Sequence, residues 1–164
     1  MRHIGEIMVY ISGFGTKYAA RILGSAIGAA ALASAAAAAA PTATLEVNIS
    51  GLRSQKGNVL VCVTANSRFF PDCSKDPKSY RATVPARDSA QLSLRGIAQG
   101  TYAIAVIHDE NGNAKMDMAV FIPKEGFGFS RNPAIRTGPP KFKAAAFAID
   151  AAQISQQIKM KYML

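Results

Sequence analysis

Tryptophan is missing from this sequence of 164 residues, and histidine and cysteine occur only twice each. Those gaps narrow the chemistry. The two cysteines, Cys62 and Cys73, stand eleven positions apart and lack the paired short spacings of a zinc ribbon. His3 sits at the extreme start of the chain, so His108 is the one imidazole available to a folded domain. A hydrolase needs a nucleophile, a base and an orienting group, and one usable histidine offers few ways to assemble them. Helical stripes are lacking too: beyond residue 40 no segment repeats its apolar residues at the helical period over a useful length. No strongly apolar run reaches the roughly 20 residues that span a bilayer. Acidic side chains are scarce, ten against nineteen lysines and arginines, for a formal net charge of +9. The positive residues are scattered without a run of five, which argues against a nucleic-acid partner. The charge suits solubility, and among partners it suits an anionic envelope polymer or anionic lipid headgroups.

What is present begins with an export pattern. Lys17 and Arg21 form a positive flank, an apolar run follows from Ile22 to Ala33, and small residues then supply several A-x-A sites between Ala35 and Ala40. Residues 1–40 are therefore expected to be a signal peptide with an Ala-rich cleavage region, and residues 41–164 a single domain. Cleavage leaves sixteen Lys and Arg against nine Asp and Glu, a net charge near +7, and no transmembrane span. The periplasm is the expected compartment, with secretion or outer-membrane association as alternatives. An oxidising compartment makes a disulfide between Cys62 and Cys73 the default.

Period-two alternation runs through the expected domain. Leu45, Val47 and Ile49 alternate with polar residues up to Gly51, and Val59, Val61 and Val63 share one face of a second strand. Short strands are predicted at Tyr80 to Val84 and Ala90 to Leu94, a long one at Thr101 to His108, and two closing strands at Phe142 to Ile149 and Ile154 to Tyr162. Seven such strands separated by turn signals predict an all-β fold, a single antiparallel β-sandwich, with a partly open barrel as the alternative. The exception to the pattern is the stretch from 109 to 141, dense in Gly, Pro and Asn, which reads as one long loop.

Three phrases, "GTYAIAVIHDENGNAKMD", "IPKEGFGFS" and "GPPKFKAAAF", give the chain a likeness. It resembles the bacterial domain-of-unknown-function 2141 family over nearly all of the expected domain. His108, Asp109, Asn111, Gly112, Asn113 and Asp117 fit that family's loop, and Pro123, Glu125, Gly126, Gly128, Phe129 and Ser130 fit its second motif. Ala114, where the family usually has glycine, and Met118 to Val120 depart from the pattern. The resemblance implies an exported sandwich of immunoglobulin-like or transthyretin-like type, and no established activity. Cysteines at comparable places in some members support the disulfide.

The chemistry-bearing residues cluster in "HDENGNAKMD". Counting from Asp109, Asn111 and Asn113 fall at positions three and five of a calcium-type loop, Lys115 offers its carbonyl at seven, and Asp117 falls at nine. Position twelve is Val120, so no bidentate glutamate completes the set and a further ligand must be borrowed, from Glu110 or Glu125. The competing reading is a polar turn held by Asn and Asp side chains. His108, Glu125, Phe127 and Phe129 are the candidates for ligand binding, the two phenylalanines as an aromatic platform for a sugar or peptide. Ser130, in "GFGFSRN", departs from the G-x-S-x-G nucleophile turn, and no residue is assigned a catalytic role. The function expected is a non-catalytic binding or structural module of the envelope. The alternative is a calcium-supported enzyme or ligand-binding domain acting on an envelope polymer.

Overall fold

The computed structural model describes residues 40–136 and 138–164, so the expected signal peptide lies outside the described residues. The chain forms β1 (Thr42–Ser50), β2 (Asn58–Thr64), β3 (Tyr80–Pro85), β4 (Gln91–Ala98), β5 (Gly100–Asp109), β6 (Met118–Ala119), β7 (Ile122–Pro123), β8 (Gly126–Phe129), the helical turn α1 (Phe142–Ala145), β9 (Phe147–Ile149) and β10 (Gln153–Lys159). One sheet has the order β10-β1-β4 and the other β3-β2-β5-β8, with β9 paired to the start of β5. The expected all-β sandwich is therefore present, and because the strands divide into separate sheets instead of one continuous curled sheet the partly open barrel falls away.

Alternation decides which face each strand buries. Along β1, Ala43, Leu45, Val47 and Ile49 are buried while the residues between them are partly exposed. These side chains meet Val59, Val61 and Val63 of β2 and Tyr102, Ile104 and Val106 of β5 to make the main core between the sheets. Burying each Val or Ile stabilises by about 1.5–3 kcal/mol, so the register of these strands is strongly specified. β5 is buried on both sides. Its other face, Ala103 and Ala105, packs against Phe127, Phe129 and Ala145, with Phe70, Met116, Ile135 and Phe142 around them, in a second, smaller core. The Phe70 ring meets the edges of Phe129 and Phe142 at centroid distances of 5.8 and 5.9 Å. The expected disulfide between Cys62 and Cys73 is formed, with Cα atoms 6.0 Å apart, and it ties β2 to the loop that carries Phe70.

Three local features differ from the sequence expectation. The pair β1 and β10 is parallel, with Thr44 opposite Gln153 and Ser50 opposite Lys159. The turn at 150–152 carries the chain from one sheet to the other, so it is not a hairpin and does not impose an antiparallel pairing. The strand expected from Phe142 begins only at Phe147, because Phe142 and Ala145 reach the second core from one face of a helical turn. The stretch 109–141 is not one loop: it holds β8 and a small ribbon made by β6 and β7, whose tip is Val120 and Phe121.

β8 alternates glycine with phenylalanine, and the alternation has a packing reason. Phe127 and Phe129 fill the second core, whereas a Cβ added at Gly128 would lie 2.6 Å from Ile158 Cγ2 and 3.0 Å from Met160 Sδ. Only glycine lets β10 and the residues after it lie over β8. A single bridge between Phe127 and Lys161 joins them.

Candidate functional site

Asp109 ends β5 with its side chain 1% exposed, and it organises the loop that follows. Its Oδ1 accepts the N–H groups of Gly112 and Asn113 at 2.9 and 3.0 Å, and its Oδ2 that of Ala114 at 2.8 Å. Asn111 Oδ1 accepts the Asn113 N–H, and Asn113 Oδ1 accepts the Lys115 N–H. Each bond spans two to five residues, so the chain must curl around these side chains. Gly112 at φ 74° and Ala114 at φ 60° supply the left-handed backbone for it. Alanine thus occupies a conformation that favours glycine. Asp117 closes the curl by accepting the side-chain amides of Asn111 and Asn113 at 2.7 and 2.9 Å on Oδ2.

Glu125 completes the group from the other side. Pairing of β5 with β8 sets His108 opposite Gly126, which delivers the preceding Glu125 to the base of the loop. Glu125 is 4% exposed, with Oε2 accepting the Asp117 N–H at 3.4 Å and Oε1 without a hydrogen-bond partner among the described residues. Burial pushes its carboxyl up to about 6. The Asp117 N–H opposes that rise, and the nearby carboxylates of Asp109 and Asp117 add to it. Glu125 therefore lies near the Asp109 and Asp117 carboxyls, and among the described residues none of the three is ion-paired to a lysine or arginine. Among the described residues no three His, Cys, Asp or Glu side chains form a metal-holding group alone, so a cation here would also need amide and backbone oxygens.

Glu110, the other candidate for a borrowed ligand, is engaged elsewhere. The Arg53 guanidinium forms an ion pair with it, Ser54 Oγ donates to its Oε1 at 2.7 Å, and the Arg53 bond leads in holding its carboxyl below the usual range. Arg53 also lies 4.5 Å over the Tyr162 ring. The sequence offered no signal for either partner, since both are distant along the chain.

His108 is fully buried and points away from the loop. Its Nε2 bonds the Lys56 carbonyl at 2.9 Å, so this nitrogen carries the proton, and Nδ1 accepts from the Tyr162 hydroxyl at 2.7 Å. Both nitrogens are thereby occupied in holding the sandwich together. Phe127 and Phe129 are 5% and 7% exposed, so the structure does not present them as a platform. The Ser130 hydroxyl donates to the Ala145 carbonyl and accepts the Ile104 N–H, fixing α1 to β5. Of the residues proposed from sequence, Asp109, Asn111, Asn113, Lys115 and Asp117 come together with Glu125, while His108, Phe127 and Phe129 belong to the framework.

The bacterial family described as "Uncharacterized protein conserved in bacteria (DUF2141)" matches residues 47–157, a span from β1 into β10. The chain belongs to that family. The DUF2141 match takes in the loop, the ribbon and β8, so the carboxyl cluster lies wholly within it. No curated protein and no solved structure matches the chain. Among the described residues no helix is long and apolar enough to cross a membrane.

Proposed function

We propose that this DUF2141 protein is an exported, non-catalytic binding module of the bacterial envelope whose 109–117 loop holds a calcium ion. The observation that carries the calcium reading is Glu125: a buried carboxyl with a free Oε1, set against two more carboxyls, is an electrostatic cost that a divalent cation removes. Asp109, Asn111, Asn113 and Asp117 supply side-chain oxygens, Lys115 its carbonyl, and Glu125 replaces the ligand that Val120 cannot provide at position twelve. Six ligands of this kind satisfy calcium, which takes six to eight oxygens in flexible geometry. The non-catalytic reading is supported by His108 and Ser130, whose polar atoms are engaged in holding strands together.

Isothermal titration tests the proposal. The natural chain is expected to bind calcium with a dissociation constant on the order of 0.1–1 mM, as extracellular modules do, and magnesium more weakly because it demands a tight octahedron. Glu125→Gln keeps the shape and is expected to weaken calcium at least tenfold. Absence of a calcium isotherm from the folded natural chain, or equal affinity in the variant, overturns the reading and leaves the loop a polar turn.

A further inference from the structure

We propose that the β6–β7 ribbon is a membrane-docking finger that places Val120 and Phe121 in the acyl region of an anionic lipid bilayer. The inference names a partner for the binding module proposed above; it needs no bound calcium, and it uses the side chain of Lys115 where the calcium reading uses only that residue's carbonyl.

Val120 and Phe121 are 86% and 87% exposed, and Met118 and Ile122 beside them are 48% and 44% exposed. Single apolar residues on a surface need no explanation, but four at one protruding tip do. Backbone conformation sharpens the point. Val120 sits at φ 60°, in the first position of a two-residue hairpin turn. Glycine is the residue that turn favours when its first position has positive φ, and a β-branched side chain there is strained. The sequence thus keeps a valine where neither the turn nor internal packing rewards it. Burial outside the molecule would.

Charge selects the occupant. Lys115 and Lys124 flank the ribbon, both exposed and neither in an ion pair among the described residues. Of the acidic residues beside them, Glu125 is buried, and half-buried Asp117 has its Oδ2 taken up by the side-chain amides of Asn111 and Asn113. The finger therefore shows apolar side chains at its end and positive charge at its base. Three residue steps of extended chain lead from Phe121 to Lys124, a reach of about 10 Å, which matches the roughly 5–10 Å depth between headgroups and the acyl boundary. Lysines near an anionic surface add attraction that falls off within a Debye length. A protein groove would accept the apolar tip without calling for the paired lysines, whereas an anionic bilayer uses both.

Vesicle sedimentation in chelator tests this apart from the calcium titration. The natural chain is expected to pellet with vesicles of phosphatidylglycerol and phosphatidylethanolamine, and poorly with phosphatidylcholine alone. The double variant V120S/F121S should bind the anionic vesicles at least tenfold more weakly, and K115Q/K124Q severalfold more weakly. Natural and variant chains share every residue before β1, so the difference between them isolates the ribbon. Because the sequence has no tryptophan, Phe121→Trp adds a single indole whose emission should shift to the blue on those vesicles. Equal pelleting of V120S/F121S and the natural chain, or an unshifted indole, overturns the proposal. So does a natural chain that stays in the supernatant while light scattering shows a dimer that V120S/F121S makes monomeric, since the tip then serves a second copy.

Discussion

Replacing Glu125 by glutamine should make the metal-free protein more stable at neutral pH, although it removes a charged group from a polar site. Burial and the two neighbouring carboxylates raise Glu125 from an ordinary 4.5 to about 6. A folded-state value above the unfolded one means that the folded state binds the proton more tightly. The contribution is fully present below about pH 4.5 and is lost as pH rises through about 6. At 1.36 kcal/mol for each unit, the loss comes to about 2 kcal/mol above pH 7. Glutamine stays neutral, can accept the Asp117 N–H through its carbonyl, and can donate to Asp109 through its amide. Glu125→Gln should therefore melt about 5–10 °C higher than the natural chain at pH 7.5 and close to it at pH 4.5, given the usual scaling for a domain of this size. Thermal melts followed by circular dichroism in metal-free buffer across that range measure the difference. Saturating calcium should narrow that gap by at least about 1.4 kcal/mol, the linkage worth of a tenfold weaker affinity in the variant, because only the natural chain keeps the carboxylate ligand. If the two chains show parallel pH dependence without metal, Glu125 is not a strained carboxyl and the account of the cluster fails.

The double variant Cys62→Ala with Cys73→Ala should lose about 2–4 kcal/mol in urea denaturation, since the bond closes a short loop that carries Phe70 into the second core; an unchanged midpoint would contradict this. Gly128→Val should destabilise by about 1–3 kcal/mol or more, because its Cβ would lie 2.6 Å from Cγ2 of the buried Ile158. A melting temperature equal to that of the natural chain would show that β10 does not lie over β8 as described.

How much of this was legible in the sequence depended on whether the signal was local. Strands such as β1 and β5 announce themselves because every second residue faces a core, and the spacing of Asp109, Asn111, Asn113 and Asp117 marked the loop because the curl is made by side chains two to five residues apart. β8 escaped because glycine occupies one of its faces: the alternation of Gly126, Phe127, Gly128 and Phe129 is a strand pattern, but its small members read as turn residues until β10 is seen above them. Glu125 could be named as a possible partner for the loop, yet its burial against Asp109 arises from the pairing of β5 with β8, a contact between distant parts of the chain. The same holds for His108, whose partners Lys56 and Tyr162 lie 52 and 54 residues away. A chemically suggestive side chain can be located from sequence, but whether its atoms are free is a tertiary property.

The parallel pairing of β1 with β10 has a mechanical consequence. The chain enters β1 at Thr42 and leaves β10 at Lys159, and because the strands run the same way these two points lie at opposite ends of the ladder. Tension applied through the chain on either side of the sheet pulls the strands past each other along their length. The backbone bonds from Thr44–Gln153 to Ser50–Lys159 then carry the load together, instead of opening one at a time as they would in a hairpin pulled from its free ends. A domain held at one side and loaded at the other is thereby gripped by seven residue pairs in shear.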